Sequence, residues 1–169
     1  MRVARVLAIW FGAGLLRPAP GTWGSLVAVI LALLIDRYLG FPVLLVATVA
    51  VTALGFWAVS VELRDTPSLD PSEFVIDEVA GQWIALLFSS AAFWGRGHEG
   101  FLPYPAPIAA FLFFRLFDIW KPWIIGRADR RHDPAGVMLD DLWAGLFAGL
   151  ATIVAAALYH VPLVLWGGT

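Results

Sequence analysis

Long apolar blocks alternate with short polar punctuation along this chain. Arg2 and Arg5 precede the apolar run Val6–Leu16, whose eleven uncharged residues fall short of the ~20 that a bilayer crossing needs. That run reads as an interfacial or re-entrant helix. It does not read as a cleavable leader, because Arg17, Pro18 and Pro20 follow it where a small-x-small cleavage site would stand. The first spanning pattern covers about Trp23–Leu39, with Asp36, Arg37 and Tyr38 at its far end and Gly40 and Pro42 as breakers. The second covers about Val43–Leu63 and is uncharged from Val43 to Val61, the clearest membrane signal in the chain. A third starts at Asp77–Glu78 and runs to Trp94. A fourth covers Ala106–Ile119 and kinks at Pro122 if it continues. A fifth runs from Leu139 to Val164 and starts with Asp140–Asp141. The pattern predicts an all-α polytopic bundle of about five spans plus the short N-terminal helix, with residues 1–169 forming one membrane-embedded domain.

The connectors carry the polarity. Arg17–Ser25 reads as a loop rich in proline and glycine, with Thr22 or Ser25 as the cap of the next helix and a helix N-terminus after Gly24 that suits an anion. Arg64–Phe74 and Gly95–Pro107 read as turn-rich loops, and Arg127–Arg131 as a basic loop that contacts anionic lipid. Thr48, Thr52 and Ser60 are expected to bond back to carbonyls of their own helix. With five spans, one membrane face receives Arg2, Arg5, Arg17, Arg64, Lys121, Arg127, Arg130 and Arg131, and the other only Arg37 and Arg96. That asymmetry places the crowded face in the cytoplasm. The same face receives the GTWGS segment, Asp77–Glu78, Asp118–Lys121 and Asp140–Asp141. Trp10, Trp94, Trp120, Trp123 and Trp166 fall near span ends, as an interfacial aromatic belt would.

Composition agrees with a membrane protein. Of the 169 residues, 60% are hydrophobic and 14% charged, against about 25% charged in soluble domains, and the net charge is −2. There is no cysteine, hence no disulfide framework and no thiol chemistry. Nothing points to a nucleic-acid partner. His98, His132 and His160 make no ligand pair, and no HExxH, GxSxG or Ser-His-Asp arrangement is present.

The chemistry collects in Phe114–Gly145. Arg115, Asp118, Lys121, Arg127, Asp129, Arg130, Arg131, Asp133, Asp140 and Asp141 all lie in this segment of a chain otherwise poor in charge. Ionisable groups at a membrane edge are costly and mark a site by default. Carboxylates suit a hard divalent cation, and Arg and Lys suit a phosphate. Each feature has a plainer reading. Asp77–Glu78 and Asp140–Asp141 could simply favour helix N-termini. Gly145 and Gly149 could serve helix packing, and Arg115, Asp118 and Lys121 could form a self-neutralised stripe. Gly81 would let another helix approach, and Gln82, one turn beyond Glu78, could support a ligand from behind. The convergence of two acidic pairs and Asp118 on one face favours a site.

Four motifs give the chain a family resemblance: PGTWGS (Pro20–Ser25), VIDEVAGQW (Val75–Trp83), FRLFDIWKPW (Phe114–Trp123) and the later Asp129–Gly145 segment with MLDD and AG. Together they resemble phosphatidylglycerophosphatase A, a bacterial membrane phosphatase that converts phosphatidylglycerophosphate to phosphatidylglycerol. Two places depart from the family pattern, His132–Ala135 in the basic loop and Ile124 after KPW. The resemblance implies Mg²⁺ dependence, a bacterial inner-membrane location and a cytoplasm-facing site. Asp77, Glu78, Asp118, Lys121, Asp140 and Asp141 are then the expected catalytic set, with the five carboxylates as metal ligands. Thr22, Gly24, Ser25, Arg115, Lys121, Asp129 and Arg130 are expected to bind substrate. Membrane lipid is the expected surrounding partner. The alternatives from other classes are a small ion- or proton-coupled transporter and a non-catalytic anionic-lipid-binding protein. A transporter should carry polar groups through the whole bilayer depth, whereas these collect at one face.

Overall fold

The computed structural model describes residues 3–65, 71–131 and 133–166, with side chains described except at 65, 71 and 160–166. Among them the chain is all helical, with no strand. Helix α1 spans Val3–Ala8 and is followed by a 3-10 segment, Trp10–Leu15. Helix α2 is Pro20–Leu39, α3 is Phe41–Asp65, α4 is Ile76–Trp94, α5 is Ala106–Trp120, α6 is Ile124–Asp129 and α7 is Pro134–Trp166. The expected Trp166, His132 and His160 side chains, and residues 66–70 of the 64–74 loop, lie outside the described residues.

Among the described residues, three helices are long and apolar enough to cross a membrane: Pro20–Leu39, Phe41–Arg64 and Pro134–Tyr159. The other two expected spans differ for physical reasons. The fifteen residues of α5 reach only about 22 Å at 1.5 Å per residue. Helix α4 opens with Asp77 and Glu78 and is the central strut, packed against α2, α3, α5 and α7, with most of its side chains buried in protein.

Lipid tails are as apolar as leucine, so helices in a bilayer associate through close packing more than through water exclusion. The interfaces here are accordingly small-residue surfaces. Ala28, Ala32, Ala58, Ala80, Ala85, Ala110, Ala144 and Ala148 are all buried. A Cβ added at Gly81 would fall 2.6 Å from Phe114 and collide with the Asp141 carbonyl, and one at Gly145 would collide with the Gly81 backbone. Helices α4 and α7 therefore touch backbone to backbone. Gly149 lies against the Phe88 ring. The Trp83 indole N–H donates to the Ala28 carbonyl at 2.8 Å, pinning α4 to α2. Thr48 and Thr52 bond back to Leu44 and Thr48 carbonyls at 2.7 and 2.8 Å, as expected.

Three boundaries correct the sequence reading. GTWGS is not a loop but the first turns of α2, which starts at Pro20 with proline in the first turn. No side chain caps that helix, and Ser25 instead donates to the Gly21 carbonyl at 2.8 Å. The anion-receptive N-terminus after Gly24 does not exist, because that position is already interior. Much of the basic loop is helix α6. Finally, α7 starts at Pro134, not Leu139: Asp133 accepts the Gly136 amide at 2.6 Å, a side-chain cap with proline following it. Asp140 and Asp141 thus lie in the second turn, and capping does not explain them.

The starts of α2, α4 and α7 and the ends of α3 and α5 come to one end of the bundle. A cavity of about 390 Å³ opens there, lined by Leu63, Asp77, Glu78, Asp118, Lys121 and Asp141 among others.

Candidate active site

The sequence-distant acidic groups meet in this cavity. Asp77, Glu78 and Asp141 each place a carboxylate oxygen within 4.8 Å of the others. Helix α4 supplies the first two from its first turn, and α7 supplies the third across the glycine contact at Gly81. Only that backbone-to-backbone approach lets the side chains converge. Glu78 Oε2 and Asp141 Oδ1 are buried without a hydrogen-bond partner among the described residues. A buried carboxylate oxygen without a partner costs free energy on the order of a few kcal/mol. Such a group is expected where a proton or cation completes the site.

Asp118 and Asp140 line the same cavity but have cationic partners. Arg115 Nη1 lies 2.7 Å from Asp118 Oδ2, and the same guanidinium donates to Ser25 Oγ at 3.3 Å. The expected stripe therefore exists as far as Arg115–Asp118. Lys121 departs from it. The chain turns out of α5 at Lys121, which adopts a left-handed conformation at φ 48°, and Trp123 also has positive φ. Gly126 of α6 then approaches so closely that an added Cβ would lie 2.6 Å from the Lys121 carbonyl. This turn aims the ammonium at Asp129 and Asp140, at 2.5 and 2.8 Å. Partial burial works against the charge on Lys121, but hydrogen bonds to Asp129 and Asp140 more than offset it and hold its pKa above the usual lysine range. The expected phosphate ligand is thus already neutralised by two carboxylates.

The remaining expected residues divide. Ser25 is fully buried and supports Arg115. Gly24 packs on Val75, where an added Cβ would fall 2.7 Å from the valine Cβ, so its role is helix approach. Thr22 is half-buried and, like Gly24, does not line the cavity. Arg130 is exposed beyond α6 and does not reach the cavity, and neighbouring Arg131 pairs with Asp133 at 2.9 Å. Gly21 is the residue that sequence reasoning passed over: a Cβ there would collide with Glu78 Oε1 and lie 3.3 Å from Arg115 Nη1. The glycine signal in PGTWGS was visible, but only the helical register shows which glycine faces the carboxylates. Ser72, Phe74 and Gly136 also line the cavity and carry no sequence signal of their own.

The cavity wall therefore sets six carboxylates, at 77, 78, 118, 129, 140 and 141, against the ammonium of Lys121 and the adjacent guanidinium of Arg115. An anion cannot enter such a wall unless further positive charge enters with it. The donor set, all hard oxygens with two of them unpartnered, fits a hard divalent cation.

Comparison with known proteins agrees with this chemistry. The family model for phosphatidylglycerophosphatase A matches residues 6–156. Phosphatidylglycerophosphatase A of Haemophilus influenzae is 35% identical over 144 residues, covering 85% of this chain and 82% of that protein. The Escherichia coli protein of the same name is 31% identical over 160 residues, covering 94% and 85%. A Bacteroides thetaiotaomicron protein named putative phosphatidylinositol-3-phosphatase is 36% identical over 149 residues, covering 86% and 88%. No solved structure matches the chain. With the family model covering most of its length, the chain belongs to the phosphatidylglycerophosphatase A family of phosphatases.

Proposed function

We propose that this chain hydrolyses the terminal phosphomonoester of phosphatidylglycerophosphate to phosphatidylglycerol and phosphate, with Mg²⁺ as cofactor, in phospholipid biosynthesis. The observation that carries the reading is the convergence of Asp77, Glu78 and Asp141 within 4.8 Å at one end of an apolar bundle. A substrate of such a site must bring its anion to the bundle end while its acyl chains stay in the bilayer. The reading extends to topology: α2, α3 and α7 cross a bacterial cytoplasmic membrane, with α4 and the shorter α5 packed among them and the cavity facing the cytoplasm, as the Lys/Arg asymmetry supports.

Bound by Asp77, Glu78 and Asp141, with Asp118 and Asp140 at hand, Mg²⁺ supplies charge neutralisation and Lewis acidity toward phosphoryl oxygens. The chain's own groups do the rest. Lys121 stands at the cavity mouth on a flexible stem and is the charge that an incoming phosphate meets. Its contact with Asp129, which is exposed, is the easier of its two ion pairs to exchange for a phosphate oxygen. Arg115 fixes the Asp118 carboxylate in the wall. Hydrolysis forms one bond from phosphorus to a water oxygen and breaks the bond to the glycerol oxygen, which takes up a proton. Leu63 and Phe74 bound the cavity with apolar surface and limit water.

The test is phosphate release by the reconstituted chain from phosphatidylglycerophosphate, phosphatidylinositol 3-phosphate and phosphatidic acid, beside an inserted Asp141→Asn variant. Preference for the first lipid and loss of release in the variant are expected. Preference for the inositol lipid would move the head-group assignment to that of the Bacteroides relative, and an unimpaired variant would reject the site.

A further inference from the structure

The opposite end of the bundle holds a second cavity, of about 310 Å³, that the phosphatase chemistry does not use. It lies where α2 and α4 end and α3 begins, closed by the α4–α5 connection. Its wall carries both signs of charge. Asp36 accepts a hydrogen bond from the buried Ser90 hydroxyl, which fixes the carboxylate in the wall. Glu99 brings a second carboxylate from the connection. Arg37 lies 5.7 Å from the Tyr38 ring centre and 5.9 Å from that of Phe101. The two rings stand edge to face beside the guanidinium, with centres 6.4 Å apart, and hold it by cation–π attraction, which leaves N–H donors for a partner. None of the ion pairs among the described residues involves Arg37 or Glu99. The backbone fields match this division. The C-terminal ends of α2 and α4 favour a cation, and the N-terminal end of α3 favours an anion. The rim is apolar and aromatic: Phe41 and Trp94 rings lie 5.5 Å apart, and Leu39 and Trp94 are exposed.

We propose that this cavity binds the head group of a zwitterionic phospholipid with a primary ammonium, phosphoethanolamine. Asp36 and Glu99 receive the ammonium, Arg37 receives the phosphodiester oxygens, and the Phe41–Trp94 rim seats the glycerol and first acyl methylenes. A purely anionic head group would meet two carboxylates with no compensating ammonium. A soluble zwitterion would leave the aromatic rim without a ligand, so the lipid is the favoured source of this chemistry. The site is separate from the catalytic carboxylates at the other bundle end.

The experiment is native mass spectrometry of the full chain in detergent, titrated with dioleoyl-phosphatidylethanolamine or dioleoyl-phosphatidylglycerol. Wild type should retain the ethanolamine lipid at lower concentration than the glycerol lipid. Arg37→Gln and Glu99→Gln should each weaken ethanolamine-lipid retention by about tenfold, the scale of one lost charge-assisted contact. Their melting temperature and phosphatase rate should stay at wild-type values, which separates loss of this site from loss of the fold or of the catalytic end. Equal retention of both lipids overturns the proposal, as does unchanged ethanolamine-lipid retention in both variants. Binding of soluble glycerophosphoethanolamine as tight as that of the lipid overturns its assignment to a membrane ligand.

Discussion

Replacing Gly21 by alanine separates the catalytic role of the α2 start from its structural role. The added methyl would collide with Glu78 Oε1 and lie 3.3 Å from Arg115 Nη1, with no backbone among its nearest neighbours. The end of a glutamate side chain rotates away at small cost, and alanine is the better helix former by about 0.5–1 kcal/mol. Fold stability should therefore hold or rise slightly. The displaced Glu78 carboxylate, however, leaves the three-carboxylate cluster with Asp77 and Asp141. Loss of one charged ligand contact is worth on the order of 1.5–3 kcal/mol, or about 10- to 150-fold. The assay is phosphate release from phosphatidylglycerophosphate over an Mg²⁺ titration, run beside a thermal melt of the same reconstituted sample. A Gly21→Ala protein that melts like wild type but needs about tenfold or more Mg²⁺, or turns over correspondingly slower, is the expected result. Wild-type Mg²⁺ dependence together with wild-type rate would refute the placement of Glu78 in the site.

Gly145→Ala should behave in the opposite way, because its methyl meets the Gly81 backbone, which cannot rotate aside; a lowered melting temperature is expected, and an unchanged one would contradict the α4–α7 contact. Gln82 is fully buried with neither amide atom partnered among the described residues, so Gln82→Leu should leave the melt unchanged or raise it while, as the expected support behind Glu78, lowering phosphate release; full activity would contradict that supporting role. Lys121→Met should cut kcat/KM for the phospholipid by about 10- to 150-fold without loss of insertion, measured on the same vesicles. Because its pKa is raised, Lys121 stays charged up through the ordinary lysine value of ~10.5 and gives up its proton, and with it the ion pairs, only as pH rises through the higher folded value. An alkaline fall in activity between pH 8 and 10 should accordingly be unchanged in shape by Lys121→Arg, and a shift of that limb would contradict the two-carboxylate environment.

Much of the site was legible because charge is expensive in an apolar chain. Asp77–Glu78, Asp118 and Asp140–Asp141 stood out against their blocks, and the alternation of spans put them at one end. Helices α3 and α4 follow the periodic blocks closely. The errors arose where local signals have two meanings. Proline and glycine in PGTWGS mark a loop in water, but here proline opens α2 and the glycines admit α4 against it. Asp133–Pro134 is a helix-start signal that was readable, yet the conspicuous acidic pair further on drew the boundary to itself. The pairing of Lys121 with Asp129 needs the chain to reverse at Lys121–Trp123, a left-handed turn at non-glycine residues that tertiary packing imposes. The identity of Gly21 as the neighbour of Glu78 depends on the relative rotation of two helices, which no single-chain periodicity encodes.

The central claim is that the six-carboxylate cavity works on phosphate only with a divalent cation held by Asp77, Glu78 and Asp141. The most direct measurement is phosphate release from phosphatidylglycerophosphate by the purified, reconstituted chain after EDTA treatment, followed by stepwise Mg²⁺ addition. The account predicts no release in EDTA and saturable recovery with Mg²⁺; full turnover in EDTA would contradict it.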